Sequence, residues 1–150
     1  MLRNLLFGGD GGASPRADLG LLLLRVGFGL ALALGHGLGK LPPSARFVEG
    51  VGEMGFPLPG LFAWLAAFAE FGGGLLLVFG LATRPAAGLV AINMLVAYFL
   101  SHGGAFGEGE KALLFALAAL TLLIIGAGRY SVDALLRRPR GAYVDRYRNY

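Results

Sequence analysis

The sequence predicts an all-α polytopic membrane protein: a bundle of four transmembrane helices with a short surface helix in the first outer loop. Three observations carry that prediction. Hydrophobic residues make up 56% of the 150 positions and charged residues only 15%, with a mean hydropathy of +0.68, a balance no soluble domain of this size shows. Apolar runs near the length needed to cross about 30 Å of hydrocarbon recur along the chain. The turns between them are rich in Pro and Gly and hold most of the charge. The whole of 1–150 reads as one membrane domain, with 1–18 a cytoplasmic N-terminal segment, 19–127 the bundle and 128–150 a basic cytoplasmic tail.

The N-terminal stretch carries Leu2, Leu5, Leu6 and Phe7 ahead of a Gly-rich, Pro-containing segment, which reads as interfacial or loose. It does not read as a cleaved signal peptide, because Asp10 and Asp18 intrude and Arg25 breaks the apolar run. The first span is expected from about Leu19 to Leu38 with Asp18 as its N-cap. At helical spacing Arg25, Gly29, Ala33, His36 and Lys40 share one face, which places the polar residues of this span toward other helices. Arg25 has two readings, snorkelling to the inner headgroups or pairing with Glu70. His36 is expected to pack rather than to ligate.

From Leu41 to Pro59 the chain is too short for a span. Pro42 and Pro43 end the first helix, and Pro57 and Pro59 precede the next. Between them Ala45 to Met54 fits a short helix on the outer membrane surface, with Phe47, Val48 and Val51 inward and Glu49 and Glu53 in water, a lid over the outer mouth of the bundle.

The second span, Leu61 to Ala82, holds a single acid, Glu70. Its neighbours at helical spacing are Ala66, Ala67, Gly73 and Gly74, a face of small residues on both sides of the acid. Small residues let spanning helices approach closely, and an ionisable group at that depth turns toward a partner or water, so this face looks into the bundle. The third span is expected from Pro85 to about Ser101, with Asn93 making an interhelical hydrogen bond. The fourth runs from about Glu108 to Gly126. Gly20 to Gly37 and Gly88 to Gly103 echo one another, each ending in His-Gly.

Charge sets the orientation. The arginines at 3, 16, 84, 129, 137, 138, 140, 146 and 148 fall on one side, against Lys40, Arg46 and Lys111 on the other, which puts both ends of the chain in the cytoplasm and the protein in the inner membrane. The basic tail with Tyr130, Tyr143, Tyr147 and Tyr150 then meets anionic lipid headgroups or a protein partner. The net charge of +4 is explained by topology and calls for no nucleic acid. With no cysteine, disulfides, thiol relays, Fe–S clusters and Cys-based zinc sites are excluded.

For chemistry, the outer end collects His36, Lys40, His102, Glu108, Glu110 and Lys111, while Arg25, Glu70 and Asn93 lie deeper. Glu70, Arg25 and Lys40 are the candidates for proton transfer or ion pairing, and His36, Asn93, His102 and Glu110 for the outer mouth or a quinone pocket. Haem ligation by the two histidines is disfavoured by their positions at helix ends, and no metal-binding spacing occurs.

The runs R-V-G-F-G-L-A-L-A-L-G-H-G-L-G-K from Arg25 to Lys40, F-P-L-P from Phe56 to Pro59, A-E-F-G-G-G-L-L-L-V-F-G-L-A-T-R from Ala69 to Arg84, G-E-K-A-L-L around Glu110 and G-A-G-R-Y-S-V-D ending at Asp133 occur in an order and spacing that resembles the DoxX family. The resemblance covers roughly Leu19 to Asp133, and the matching positions are Arg25, Gly29, Gly35, Lys40, Glu70, Gly73, Gly80, Thr83, Arg84 and Glu110. His36 and His102 are not part of the pattern. It implies a small four-helix membrane protein similar to the DoxD and MauE groups, associated with membrane redox complexes or oxidative-stress defence. The function so implied is a non-autonomous subunit of a quinone-linked oxidoreductase system, with quinone as the cofactor candidate and a membrane or peripheral redox protein as partner. A scaffold that recruits partners through its basic tail, and a small transporter or proton conduit built on Glu70, are the competing readings. Whether it forms a homo-oligomer is left open.

Overall fold

A computed structural model describes residues 14–137. The described residues are helical without strands: α1 (Pro15–Leu32), α2 (Ala45–Glu53), α3 (Pro59–Phe79), α4 (Thr83–Val96), α5 (Phe106–Ile125) and α6 (Val132–Arg137). The long helices α1, α3, α4 and α5 alternate in direction, and α5 packs on α4, α4 on α3, α3 on α1. By length and composition Pro15–Lys40, Pro59–Phe79 and Thr83–Ser101 can each cross a membrane. Helix α5 is of similar length, but Glu108, Glu110 and Lys111 occupy its first turns.

The packing inverts the pattern of a soluble core. Ala63, Ala67, Ala87, Ala116 and Ala119 are fully buried, whereas Leu23, Leu34, Phe68, Phe79, Ile92, Leu117 and Ile124 are exposed. Small residues inside let backbones approach, and large apolar ones outside meet lipid. One close approach joins α1 to α3. A Cβ placed on Gly29 would lie 2.6 Å from the Gly74 carbonyl oxygen, and one on Gly74 would lie 2.8 Å from the Gly29 carbonyl oxygen. Gly37 likewise sits against the backbone of Glu70 and Phe71. These contacts fix the antiparallel register of the two helices.

Helix starts and stops depart from the expected ones for identifiable reasons. Ser14, not Asp18, caps α1, accepting from the Ala17 N–H at 3.2 Å with Pro15 at the first helical position. Asp18 is buried inside the first turn, where its Oδ1 accepts the Arg129 N–H at 2.9 Å. Past Leu32, α1 continues as a π turn (Ala33–Gly37) and a 3₁₀ turn (Leu38–Lys40). Helix α4 also ends in a π turn, Ala97–Ser101, which stops just before His102, whereas the first π turn includes His36 and Gly37. Helix α3 stops at Phe79 because Gly80 takes a left-handed conformation, φ 66°. Helix α4 starts at Thr83, before Pro85.

The segment expected as a lid is the amphipathic helix α2. Ser44 caps it, Val51 is buried, Phe47 and Val48 are half-buried and Glu49 and Glu53 are exposed, as the spacing predicts, with the buried side on α3. The expected basic tail divides in two. Residues 128–137 are described and fold back onto the helices, whereas Tyr143, Tyr147, Tyr150 and the last arginines lie outside the described residues, as do Leu2, Leu5, Leu6 and Phe7.

Candidate functional site

Two polar clusters lie along α3, one at its middle and one at its C-terminal end, and Arg25 and Glu70 fall into different ones. With Gly29 set against Gly74, Arg25 comes level with Gly80 rather than Glu70. Ten residues of α3 separate Gly80 from Glu70, about 15 Å of helix. Arg25 therefore neither pairs with Glu70 nor snorkels. It is 1% exposed, and its Nη1 donates to the Ala127 carbonyl and its Nη2 to the Tyr130 carbonyl at 2.6 Å. A side chain at position 80 would strike the guanidinium carbon at 2.7 Å, so Gly80 both ends α3 and makes room for Arg25.

Asp133 completes the Arg25 cluster. Its Oδ1 accepts the Ala82 N–H at 2.8 Å and its Oδ2 the Thr83 N–H at 2.9 Å, while the Asp133 N–H donates to the Gly80 carbonyl at 2.9 Å. Ala82 is held at φ 47°, a left-handed conformation that costs a residue with a Cβ roughly 1 kcal/mol. The carboxylate offsets that strain by binding two backbone donors at the positive end of α4. Asp133 appears in the sequence as the last residue of the G-A-G-R-Y-S-V-D run, but its capping role is not legible there. An N-cap is looked for next to its helix, and this one arrives from fifty residues away.

The second cluster is built on Glu70, which is 2% exposed in the middle of α3. Its Oε1 accepts from Lys40 Nζ at 2.5 Å and from Asn93 Nδ2 at 3.1 Å. The ion pair is asymmetric, because the Lys40 side chain is 33% exposed. Lys40 reaches Glu70 because the π and 3₁₀ turns carry the end of α1 past Gly37, which rests on the Glu70 and Phe71 backbone. Glu70 Oε2 is buried and has no hydrogen-bond partner among the described residues.

Beside this cluster lies a cavity of about 370 Å³ between α2, α3 and α4. Lys40, Glu70, Asn93, Ser101 and His102 supply its polar groups, and residues such as Phe47, Val51, Phe62, Leu65, Leu89 and Val96 make the rest of the wall apolar. Helix α2 contributes Phe47 and Val51 to that wall, and Lys40 lies 5.2 Å from the Phe47 ring centroid. An apolar cavity with a few converging polar groups is the usual form of a site for a small amphipathic ligand.

The outer-end residues do not form one group. Lys40 and His102 line the cavity, as does Asn93, whose hydrogen bond joins α4 to α3. His36 is exposed and packs edge-on against Phe115 of α5, with centroids 5.2 Å apart. The buried row on α1 runs Arg25, Gly29, Ala33, Gly37, and the π turn leaves His36 on its flank. Glu108, Glu110 and Lys111 are exposed on α5, away from the cavity.

Comparison with known proteins agrees with the sequence resemblance. The chain is 36% identical over 130 residues to the inner membrane protein YqjF of Escherichia coli (strain K12), covering 81% of this chain and 95% of that protein. It is 32% identical over 118 residues to a Bacillus subtilis (strain 168) protein named "Putative oxidoreductase CatD", covering 77% and 86%. An uncharacterised Haemophilus influenzae protein (strain ATCC 51907 / DSM 11121 / KW20 / Rd) is 33% identical over 105 residues, covering 60% and 75%. No solved structure matches the chain at a significant level. The DoxX family model matches residues 20–103, which include α1 from Gly20 onward, α2, α3, α4 and every residue of the Lys40–Glu70–Asn93 cluster, and the chain is a membrane protein of the DoxX family.

Proposed function

We propose that this protein is a non-autonomous membrane component of a quinone-linked oxidoreductase system, and that the cavity beside Glu70 takes the head of a quinone-type ligand. The observation that carries the reading is the cavity itself: an apolar chamber under an amphipathic lid, with an ion-paired, buried carboxylate at its polar end. A lipophilic ring needs apolar walls, and its oxygens need a few fixed polar partners, here Lys40, Asn93 and Glu70. The name of the Bacillus subtilis relative points the same way.

The proposed topology has four crossings. Helix α5 crosses by way of Ala112–Ile125, with Glu108, Glu110 and Lys111 at the outer surface, and α2 lies on that surface. Arg16, Arg84, Arg129 and Arg137 then face the cytoplasm and Lys40, Arg46 and Lys111 face outward, in keeping with the excess of basic residues on cytoplasmic sides. The proton-conduit reading stands behind this one, because the two polar clusters are separated by the close packing of Gly29, Leu32, Ala33, Gly74 and Leu77.

The test is to purify the protein from its membrane in mild detergent, extract the bound lipid and measure quinone by chromatography and redox difference spectra. Quinone near one per protein, reduced by filling the cavity with Ala66→Phe, is the expected result. A quinone content no higher than that of an unrelated membrane protein purified alongside would refute the reading.

A further inference from the structure

The two oxygens of Glu70 are treated differently by the fold. Both of its donors, Lys40 Nζ and Asn93 Nδ2, converge on Oε1, and Oε2 is buried with no partner among the described residues. A carboxylate oxygen offers about two lone pairs, and a buried acceptor left unmet keeps the full desolvation penalty of that group. Buried polar atoms are seldom left so without a reason. Glu70 is part of the cavity wall, so a bound molecule is the natural source of the missing donor.

The chemistry of that donor is constrained from three sides. A cationic nitrogen facing Glu70 engages it as a carboxylate, an acceptor at both oxygens, so the ligand has to donate. Lys40 cancels the charge of Glu70, so a neutral head suits the site better than an ionic one. The remaining wall is mostly apolar and asks for an apolar body.

We propose that the cavity selects a neutral amphiphile whose head donates a hydroxyl hydrogen to Glu70 Oε2. On the quinone-linked reading, on which this rests, the site binds the hydroquinone in preference to the quinone. A hydroquinone presents one hydroxyl to Oε2 and can accept from Lys40 or Asn93. A quinone has only acceptor oxygens and leaves Oε2 unmet. A lipid alcohol shares the donor chemistry and is the alternative source of the same contact.

The experiment uses the full chain in lipid nanodiscs and titrates four probes under anaerobic conditions: a short-chain ubiquinone, its hydroquinone, a phenol carrying the same ring substituents but without redox chemistry, and dioctanoylglycerol. The expected result is that the hydroquinone binds at least about tenfold more tightly than the quinone, a preference that raises the midpoint of the bound two-electron couple by about 30 mV. The phenol follows the hydroquinone. In Glu70→Gln, whose amide can donate as well as accept, the preference collapses. Equal binding of the two redox forms, or tighter binding of the quinone, overturns the inference and leaves the quinone-linked reading standing. Binding of dioctanoylglycerol with neither quinone form upholds the donor contact and overturns the quinone-linked reading. No binding by any probe overturns both. A preference that survives unchanged in a folded Glu70→Gln protein overturns the assignment to Oε2. Should that variant not fold, the wild-type ratio of hydroquinone to quinone affinity decides alone.

Discussion

The carboxylate of Asp133 caps the helix that begins at Thr83, accepting the Ala82 and Thr83 N–H groups at 2.8 and 2.9 Å from a position fifty residues downstream of Thr83. The cap ties the segment after α5 to the turn between α3 and α4. Together with the Arg25 contacts to Ala127 and Tyr130, it makes residues 126–133 part of the folded unit rather than a loose tail.

Asp133→Ala should therefore destabilise the protein by about 2 kcal/mol, the upper range for loss of a helix cap, because two donors and a strained Ala82 lose their support together. Asp133→Asn, which keeps one carbonyl oxygen, should lose roughly half as much. Thermal unfolding in detergent, followed by circular dichroism, checks the order; an alanine variant as stable as wild type would contradict the capping role.

Arg25 and Glu70 should behave as independent sites. Arg25→Met strips the Ala127 and Tyr130 carbonyls of their donor and should cost roughly 3 kcal/mol. Glu70→Gln leaves behind a lysine that is a third exposed and can rehydrate, and should cost only about 1 kcal/mol. The double variant should lose the sum to within about 0.5 kcal/mol, as sites this far apart do. Lys40→Met with Glu70→Gln should instead be less harmful than the sum of its own two single variants. A double-mutant cycle in the same unfolding assay settles it, and strong coupling between positions 25 and 70 would contradict the register of α1 against α3.

Glycines should divide by what a methyl group would meet. Gly29→Ala and Gly74→Ala each drive a Cβ into backbone at 2.6 and 2.8 Å and should cost about 1–3 kcal/mol. Gly27→Ala, two residues from the first of these and facing open space, should be neutral or stabilise by up to about 1 kcal/mol through helix propensity. Loss of stability at position 27 equal to that at 29 would show that the α1–α3 contact is not made through Gly29.

The topology can be read with single cysteines, since the chain has none of its own. Glu49→Cys on α2 and Glu108→Cys on α5 should react with an impermeant maleimide in intact cells. Arg129→Cys and Arg137→Cys should react only after permeabilisation. The opposite pattern would invert the orientation, and labelling at 108 and 129 from the same side would remove the fourth crossing.

The helical content, the long apolar helices, the inward face around Glu70 and the short amphipathic helix α2 were all legible in the chain of residues. Each of these is a local property, written in apolar length, in 3.6-residue spacing and in the positions of Pro and Gly. Asn93 as an interhelical donor also followed, because an amide on an apolar helix has few other uses. Which polar group meets which was settled by packing alone. Sequence spacing put Arg25 and Lys40 on one face of the first span and named Arg25 as a partner for Glu70, a choice that in fact depends on the register of α1 against α3. Gly29, Gly37 and Gly74 set that register through backbone contact, which placed Lys40 on Glu70 and moved Arg25 to the far end, against carbonyls of a segment a hundred residues away. The π turn at Ala33–Gly37, the exposure of His36 and the cap from Asp133 arise from the same cause: long-range packing that no local pattern encodes.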